Sequence, residues 1–302
     1  MINNYLNQKL NVIRYQSNLI YLHPKYVCLL ILNYSYVIRF ISELKKTNFH
    51  VVLKRKPTVL RNVWGPYIHN EWSVSQRLSH ILGHYQALNH LPKCFDITKI
   101  STREVICLRN FSSDASVILE FPVWYHREGE VAISLFKMDV RVMTISFSFG
   151  QYGSAKAIYI GNIQGMYSGA SSAQSLNTIR DLTKDCYGLR PKSLLIEIIK
   201  LFAQAIASDY ILAISNKNRH HRHPFFGNYI DKIPTTNYDE IWVEHSATNL
   251  DNGFYSIPVQ TSRREFSEIS SNKRAMYRHR YNMLDEINKQ IINTLEVRPY
   301  LS

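Results

Sequence analysis

The sequence predicts an α/β protein of the α+β kind, with a helical N-terminal part packed on a mixed, largely antiparallel sheet and flanking helices. Three observations carry this expectation. Apolar residues recur at helical spacing before residue 95; the period changes from 3.6 to 2 near residue 103; and a short strand-like run at 210–215 follows two helical stretches. The expected division is a basic helical region over 1–102 and a mixed α/β region over 103–302 that ends in a basic helix.

Taken in order, apolar residues run from Val27 to Leu44 after a polar, Asn-rich start. Lys54-Arg55-Lys56-Pro57 reads as a basic loop and Trp64-Gly65-Pro66 as a turn. Leu78, Ile81, Leu82, Tyr85 and Leu88 form one helical stripe, which Pro92 closes. Ser116–Tyr125 is a strand that Pro122 demotes towards an edge or bulge, and Glu128-Gly129-Glu130 is a turn. Val131–Met138, Val140–Phe149 and Ala157–Gly165 complete an antiparallel meander within 116–165. Ile145, Phe147 and Phe149 alternate with Ser146 and Ser148, as in a half-buried strand. A Gly/Ser-rich loop over Gly165–Ser172 leads into a helix at Ala173–Tyr187, ended by Gly188, and Pro191 opens the next one. Tyr210–Ser215 is a buried strand, 216–240 a basic, His-containing loop, Phe254–Val259 a last strand and 266–295 a long helix.

The 302 residues carry 36 Lys and Arg against 23 Asp and Glu, a net charge of +13. Residues 1–100 hold 13 of the basic and three of the acidic residues (Glu43, Glu71 and Asp96), so this third projects a positive field towards an anionic partner. Such a partner is lipid headgroups, lipopolysaccharide or, ranked last, nucleic acid, because no helix-turn-helix, RRM or KH signature is present. Cys28, Cys94, Cys107 and Cys186 stand at least thirteen positions apart, which argues against a zinc module or a redox pair and suits a reducing compartment. No segment reaches the ~18 apolar residues of a membrane span. No signal peptide is recognisable, so the expected location is cytoplasmic or peripheral at the inner membrane.

Gly188-Leu189-Arg190-Pro191-Lys192-Ser193 combines a glycine turn, two cations and the N–H groups of a helix's first turn, the ingredients of an anion site. The candidate anion-binding residues are Gly188, Arg190, Lys192 and Ser193, facing the end of the 157–165 strand. The other reading is a hinge whose Arg190 bonds carbonyls or a carboxylate. Neither a Walker A loop nor G-x-G-x-x-G is present. A second candidate surface is Arg263, Arg264, Lys273, Arg274, Arg278 and Arg280, six cations against two acids in 263–280. His80 and His84 have i, i+4 spacing, yet no third metal ligand accompanies them, and structural hydrogen bonds explain them. His220, His221 and His223 read as part of an exposed basic loop. Glu120 and Glu130 lie near strands where a catalytic base could sit, but nothing in the sequence selects them.

Several segments together resemble the VirK/YbjX family of Gram-negative bacteria. They are Arg77-Leu78 through His84-Tyr85, Ile160-Gly161 with Gln164-Gly165, Leu182-Thr183-Lys184 with Gly188–Ser193, Ile214-Ser215-Asn216, Tyr238-Asp239, and Arg263-Arg264 with Lys273–Arg278 through Leu284-Asp285. The chain departs at Cys186-Tyr187, where the family usually has Leu-His. The resemblance implies a virulence-associated accessory protein of the cell envelope, linked to surface expression of virulence factors and resistance to antimicrobial peptides; it implies no known reaction. The meander–helix–strand order is also similar to the acyl-CoA N-acyltransferase fold, in which a loop and helix N-terminus grip pyrophosphate. That likeness implies an acyltransferase-like enzyme using coenzyme A or another phosphorylated donor. A nucleic-acid-binding regulator of virulence genes is the remaining alternative.

Overall fold

A computed structural model describes residues 28–29, 31–47, 49–63, 65–91, 95, 104–110, 114–121, 126–138, 140–165, 172–227 and 236–295. The expectations placed on the Asn-rich start, Trp64, Pro92, Pro122 and the 166–171 stretch of the Gly/Ser-rich loop lie outside these residues.

The N-terminal part contributes α1 (Tyr34–Lys45), the short α2 (Val52–Arg55), a 3-10 segment at Pro57–Val63 and α3 (Val74–Leu88). Ser73 starts α3 with a reciprocal cap: its hydroxyl accepts the Gln76 N–H, and the Gln76 side chain accepts the Ser73 N–H. The expected stripe is on the buried face, with Leu78, Ile81, Tyr85 and Leu88 inside together with Arg77 and His84.

The sheet is built from β1 (Glu104–Asn110), β2 (Ala115–Glu120), β3 (Val131–Lys137), β4 (Val140–Tyr152) and β5 (Ala155–Gly165), each antiparallel to the last. The chain then forms α4 (Ser172–Asp185) and α5 (Pro191–Ala205) before β6 (Tyr210–Ile214) pairs parallel with β5. After α6 (Tyr238–Glu244), β7 (Thr248–Asn249) and β8 (Phe254–Ile257) complete an eight-stranded sheet of order β1-β2-β3-β4-β5-β6-β8-β7, and α7 (Ser271–Leu295) ends the described chain. The meander expected within 116–165 is present as β2 to β5. Among the described residues no helix is long and apolar enough to cross a membrane.

Two features of β5 prepare a site. Its parallel pairing with β6 runs only from Ala157↔Tyr210 to Ile160↔Ala213, because β6 ends at Ile214 while β5 continues to Gly165, so the last residues of β5 lie beyond the end of β6. Against β4 the register slips between Ser146↔Asn162 and Phe147↔Ile160, which leaves Gly161 as the extra residue of a bulge. A β-carbon at Gly161 would collide with the carbonyl of Glu128, and one at Gly129 would stand 2.5 Å from the Phe147 nitrogen. The His126–Glu130 segment therefore crosses directly over the bulge.

The sheet is covered on both sides, and the two sides differ. Phe147 and Phe149 pack with Phe202 of α5 at ring distances of 5.9 and 6.1 Å, in an apolar layer. The opposite face carries Ser134, Thr144, Ser146, Ser148 and Asn162, all at 0% exposure. Alternation in β4 had suggested a wet face at Ser146 and Ser148; instead α3 covers it, with His80 Nε2 2.6 Å from the Ser148 hydroxyl and His84 Nδ1 accepting the Phe149 N–H at 3.1 Å. Hydrogen bonding of His80 and His84 is thus to β4, and burial lowers the ring pKa of His80 to about 3 and of His84 well below the usual value.

The bulge makes a clean test. Gly161→Ala is expected to destabilise the fold by about 1–3 kcal/mol, because backbone rather than a flexible side chain must yield. Gly83→Ala, within α3 and with nothing within 4 Å of the added carbon, is expected to stabilise by about 0.5–1 kcal/mol. Denaturant melts of the two variants read the contrast.

Candidate functional site

Three glutamates enter the polar face, and their surroundings separate their roles. Glu120 is paired with Arg141 and accepts the Ser134 hydroxyl. Glu130 Oε2 accepts Lys56 Nζ and the Tyr85 hydroxyl, each at 2.7 Å. Lys56, expected in a basic loop, is thus buried in an ion pair, since its ammonium finds there the carboxylate that its burial requires. Burial and the Glu130 charge push the Tyr67 and Tyr85 hydroxyls well above the usual phenol range, so both remain donors. Glu120 thus ties β2, β3 and β4 to one another, and Glu130 holds the sheet to its helical cover.

Glu128 is different. Its Oε2 accepts Asn162 Nδ2 at 2.7 Å, and no lysine or arginine forms an ion pair with it among the described contacts. Burial pushes its carboxyl up to about 8, against the opposing pull of the Arg219 charge and the Asn162 hydrogen bond. His220 Nδ1 lies 3.8 Å from Glu128 Oε1, but burial and its cationic neighbours hold that ring well below its usual pKa. At neutral pH the contact therefore joins a protonated carboxyl to a neutral imidazole and is not an ion pair.

Tyr238, the first residue of α6, completes the constellation. The Asn237 side chain caps this helix by accepting the Asp239 N–H at 3.2 Å. The Tyr238 hydroxyl donates to Asn162 Oδ1 at 2.8 Å and accepts the Ile163 N–H at 3.0 Å, where β5 runs on past the end of β6. Trp242 Nε1 donates to the Ile214 carbonyl at 2.8 Å and closes the end of β6, while Arg219 lies 3.8 Å over the Tyr238 ring. The Asn162 amide bridges the carboxyl and the phenol, an orientation assigned from this network. Glu128, Asn162 and Tyr238 thus form one buried acid–base line, and Glu128 keeps 9% of its side chain exposed. A carboxyl that titrates near 8 beside solvent suits proton transfer at neutral pH.

The turn singled out in the sequence lies at the far end of α6. Gly188 adopts a positive φ of 75° at the end of α4, and Arg190 is the N-cap of α5, followed by Pro191. Arg190 is exposed and stands 3.4 Å from Glu244, the last residue of α6, in a pair that is half open to solvent and so of little strength. Arg190 thus bonds a carboxylate, as the hinge reading expects, in a pair exposed to solvent rather than buried. Lys192 is close enough to His245 for its charge to help lower that ring's pKa, after burial and Lys200. Tyr238 and Glu244 stand six positions apart in this helix, about 9 Å along the axis.

Of the predicted basic surface, α7 brings Arg280 to this turn: Nε and Nη2 donate to the Tyr187 carbonyl at 3.1 and 2.8 Å. Arg263 pairs with Asp285, Arg274 Nε donates to the Ile269 carbonyl at 2.9 Å, and Arg278 lies 5.8 Å over the Phe266 ring. Arg264 and Lys273 are exposed. Much of this surface therefore fastens α7 and its leading turn. Sequence reasoning missed Glu128, Asn162, Arg219, His220 and Tyr238 as site residues. The signals were the glycines beside Glu128 and Asn162, and Tyr238-Asp239 within a segment of the family resemblance.

Glu128 sets a pH dependence with a definite sign. Its folded pKa of about 8 exceeds the value of 4.5 for a free carboxyl, so the unfolded chain releases this proton first. Its contribution to stability is complete below about 4.5 and is lost as pH rises to about 8. The buried histidines act oppositely at lower pH, so the readout is a difference: wild-type stability relative to Glu128→Gln is expected to decline between pH 5 and 8, as measured by urea melts at each pH.

The family model described as "Protein of unknown function (DUF535)" matches residues 20–293. YbjX, an uncharacterized protein of Escherichia coli (strain K12), is 28% identical over 250 residues, which cover 81% of this chain and 74% of that protein. Two uncharacterized proteins of Haemophilus influenzae are 28% and 29% identical over 59% and 53% of this chain, covering 56% and 51% of their own lengths. No solved structure matches the chain. The match over nearly the whole sequence places it in a family: the chain belongs to the DUF535/YbjX family.

Proposed function

We propose that this chain is an acyltransferase-like enzyme that modifies a component of the bacterial cell envelope. The observation that carries the reading is Glu128, a buried carboxyl titrating near 8 and joined through Asn162 to a phenol beside the part of β5 that runs past the end of β6. Support also comes from the strand order, an antiparallel meander followed by one parallel strand and a terminal antiparallel pair, which is similar to the acyl-CoA N-acyltransferase fold. The virulence-associated role and the place at the inner membrane rest on the family resemblance and on the basic residues of 1–102.

A donor such as coenzyme A would supply an activated acyl thioester with a phosphorylated handle. The charged end of the site fits that handle: Arg190 and Lys192 flank the first turn of α5, whose N–H groups, including those of Lys192 and Ser193, have no intrahelical acceptor. Beyond the end of β6 the Tyr238 hydroxyl reaches Asn162 of β5 and the Trp242 indole the Ile214 carbonyl, and both side chains are fully buried. In this reading Glu128, once ionised, takes the proton of an acceptor amine or hydroxyl, and the Tyr238 hydroxyl donates one to the leaving group. Asn162 keeps the two side chains in register through its two hydrogen bonds. Gly188, Arg190, Lys192 and Ser193 orient the donor.

Coenzyme A is expected to raise the melting temperature, and Arg190→Ala with Lys192→Ala to abolish the rise. Turnover of acyl thioesters is expected to increase with pH up to about 8, and Glu128→Gln to lower it by about 10²–10⁴-fold with the fold retained. Should neither a melting shift nor turnover occur with any phosphorylated donor, the non-enzymatic accessory role on anionic envelope surfaces takes its place.

A further inference from the structure

Between the Pro57–Val63 turn and α3 the chain makes one strained reversal. His69 N–H donates to the Tyr67 carbonyl at 2.6 Å, and Ile68 between them has a positive φ of 53°. A hydrogen bond across a single residue at positive φ marks the classic γ-turn, which is rare, and a β-branched side chain is poorly suited to it. Glycine would take this backbone without strain, yet the position holds an isoleucine at 0% exposure. Such a conformation persists where its surroundings over-determine it, and the bulky side chain at a glycine-like backbone points to a task for that side chain.

The surroundings are the segments that deliver the site. Ile68 N–H donates to the Arg127 carbonyl at 2.8 Å, and the Pro66 carbonyl accepts Arg127 Nη1 at 3.1 Å. Asn70 N–H donates to the Asn218 carbonyl at 2.9 Å, beside an antiparallel bridge that pairs His69 with Arg219. A β-carbon at Gly161 would stand 3.0 Å from Ile68 Cγ1 as well as colliding with the Glu128 carbonyl, so side chain and carbonyl share the space that Gly161 leaves open. His69 is fixed in turn: Nδ1 accepts the Glu71 N–H at 3.1 Å, and the ring stacks 5.8 Å from Trp72. The reversal thus grips the chain just before Glu128 and the chain that carries Arg219 and His220. His220, expected in an exposed loop, is buried beside Glu128, its ring 5.7 Å from that of Phe226.

We propose that Ile68 is a positioning residue for Glu128: its N–H and side chain clamp the backbone of 127 and 128 onto the Gly161 bulge, and the turn it centres holds Arg219 and His220 in place opposite the carboxyl. The assignment rests on reading Glu128 as the acid–base group of acyl transfer. The groups that face this carboxyl are Asn162 of β5 and, from the segment after β6, Arg219 and His220. Burial is the largest cause of its raised pKa, with Arg219 and Asn162 pulling the other way. Loosening the clamp admits water to the carboxyl and favours its ionised form.

Carbon-13 NMR of the Glu128 carboxyl in the full chain, comparing Ile68→Ala with wild type, tests this. Ile68→Ala is expected to lower the titration midpoint by about one pH unit or more. Ile68→Val, which keeps the branched side chain, is expected to hold the wild-type midpoint. Ile291→Ala, a truncation in the core beneath α7, controls for general loosening and is expected to leave the midpoint in place. An unchanged midpoint in Ile68→Ala, or an equal fall in Ile291→Ala, overturns the assignment. If Ile68→Ala does not fold, hydrogen exchange of the wild-type chain decides. The Ile68 amide is then expected to be protected as strongly as the amides of β4, and free exchange overturns the clamp. Kinetics with an acyl thioester separate the two readings: Ile68→Ala is expected to lower kcat about tenfold or more with KM within about twofold. A midpoint that falls in a chain without acyl transfer overturns the acyl-transfer reading and leaves the clamp standing. Turnover with a midpoint indifferent to Ile68 overturns the clamp alone.

Discussion

Gly161 has no side chain, and the carbonyl of Glu128 lies where one would be. From that close approach the rest of the site follows. The bulge re-aims Asn162 onto the polar face, the crossing segment delivers Glu128 to it, and the short β5–β6 pairing leaves room for Tyr238 to reach both Asn162 and the Ile163 N–H. A β-bulge commonly re-directs a side chain or ends a ladder, and here it does both within two residues.

The polar face is held by two anchors that work differently from the site they frame. Glu130 and Lys56 neutralise each other, and Glu120 does the same with Arg141, so these charges are satisfied where they are buried. Glu128 has an amide donor and a distant arginine, too little to keep it ionised, so it retains its proton. Two carboxyls two positions apart along the chain, at 128 and 130, thus differ through their surroundings alone: Glu130 meets the Lys56 ammonium, and Glu128, buried without such a partner, is pushed up.

Much of the architecture was legible because the deciding interactions are local. Alternation in 131–149 and Gly188 followed by Pro191 are read within a few residues, and β3, β4 and α5 lie where those signals place them. β7, with two residues, and α6, with seven, are too short for periodicity to register. The covered face of β4 escaped because the cover comes from α3, some 65 residues earlier, and Ser146 and Ser148 look the same in a wet strand as in a buried polar seam. Glu128 read as part of a turn, since its character depends on Asn162, Arg219 and His220, far along the chain. The Gly188–Ser193 turn was legible as a motif, but its relation to Glu128 is set by α6, which the sequence did not announce.

The protonation of Glu128 is the claim on which the functional account turns. Carbon-13 NMR of the glutamate side-chain carboxyls, assigned with Glu128→Gln and followed from pH 4 to 10, reads it directly. The account predicts that the Glu128 carboxyl titrates near 8, well apart from the exposed glutamates. A midpoint between about 4 and 5 would show an ordinary ionised carboxylate and contradict it.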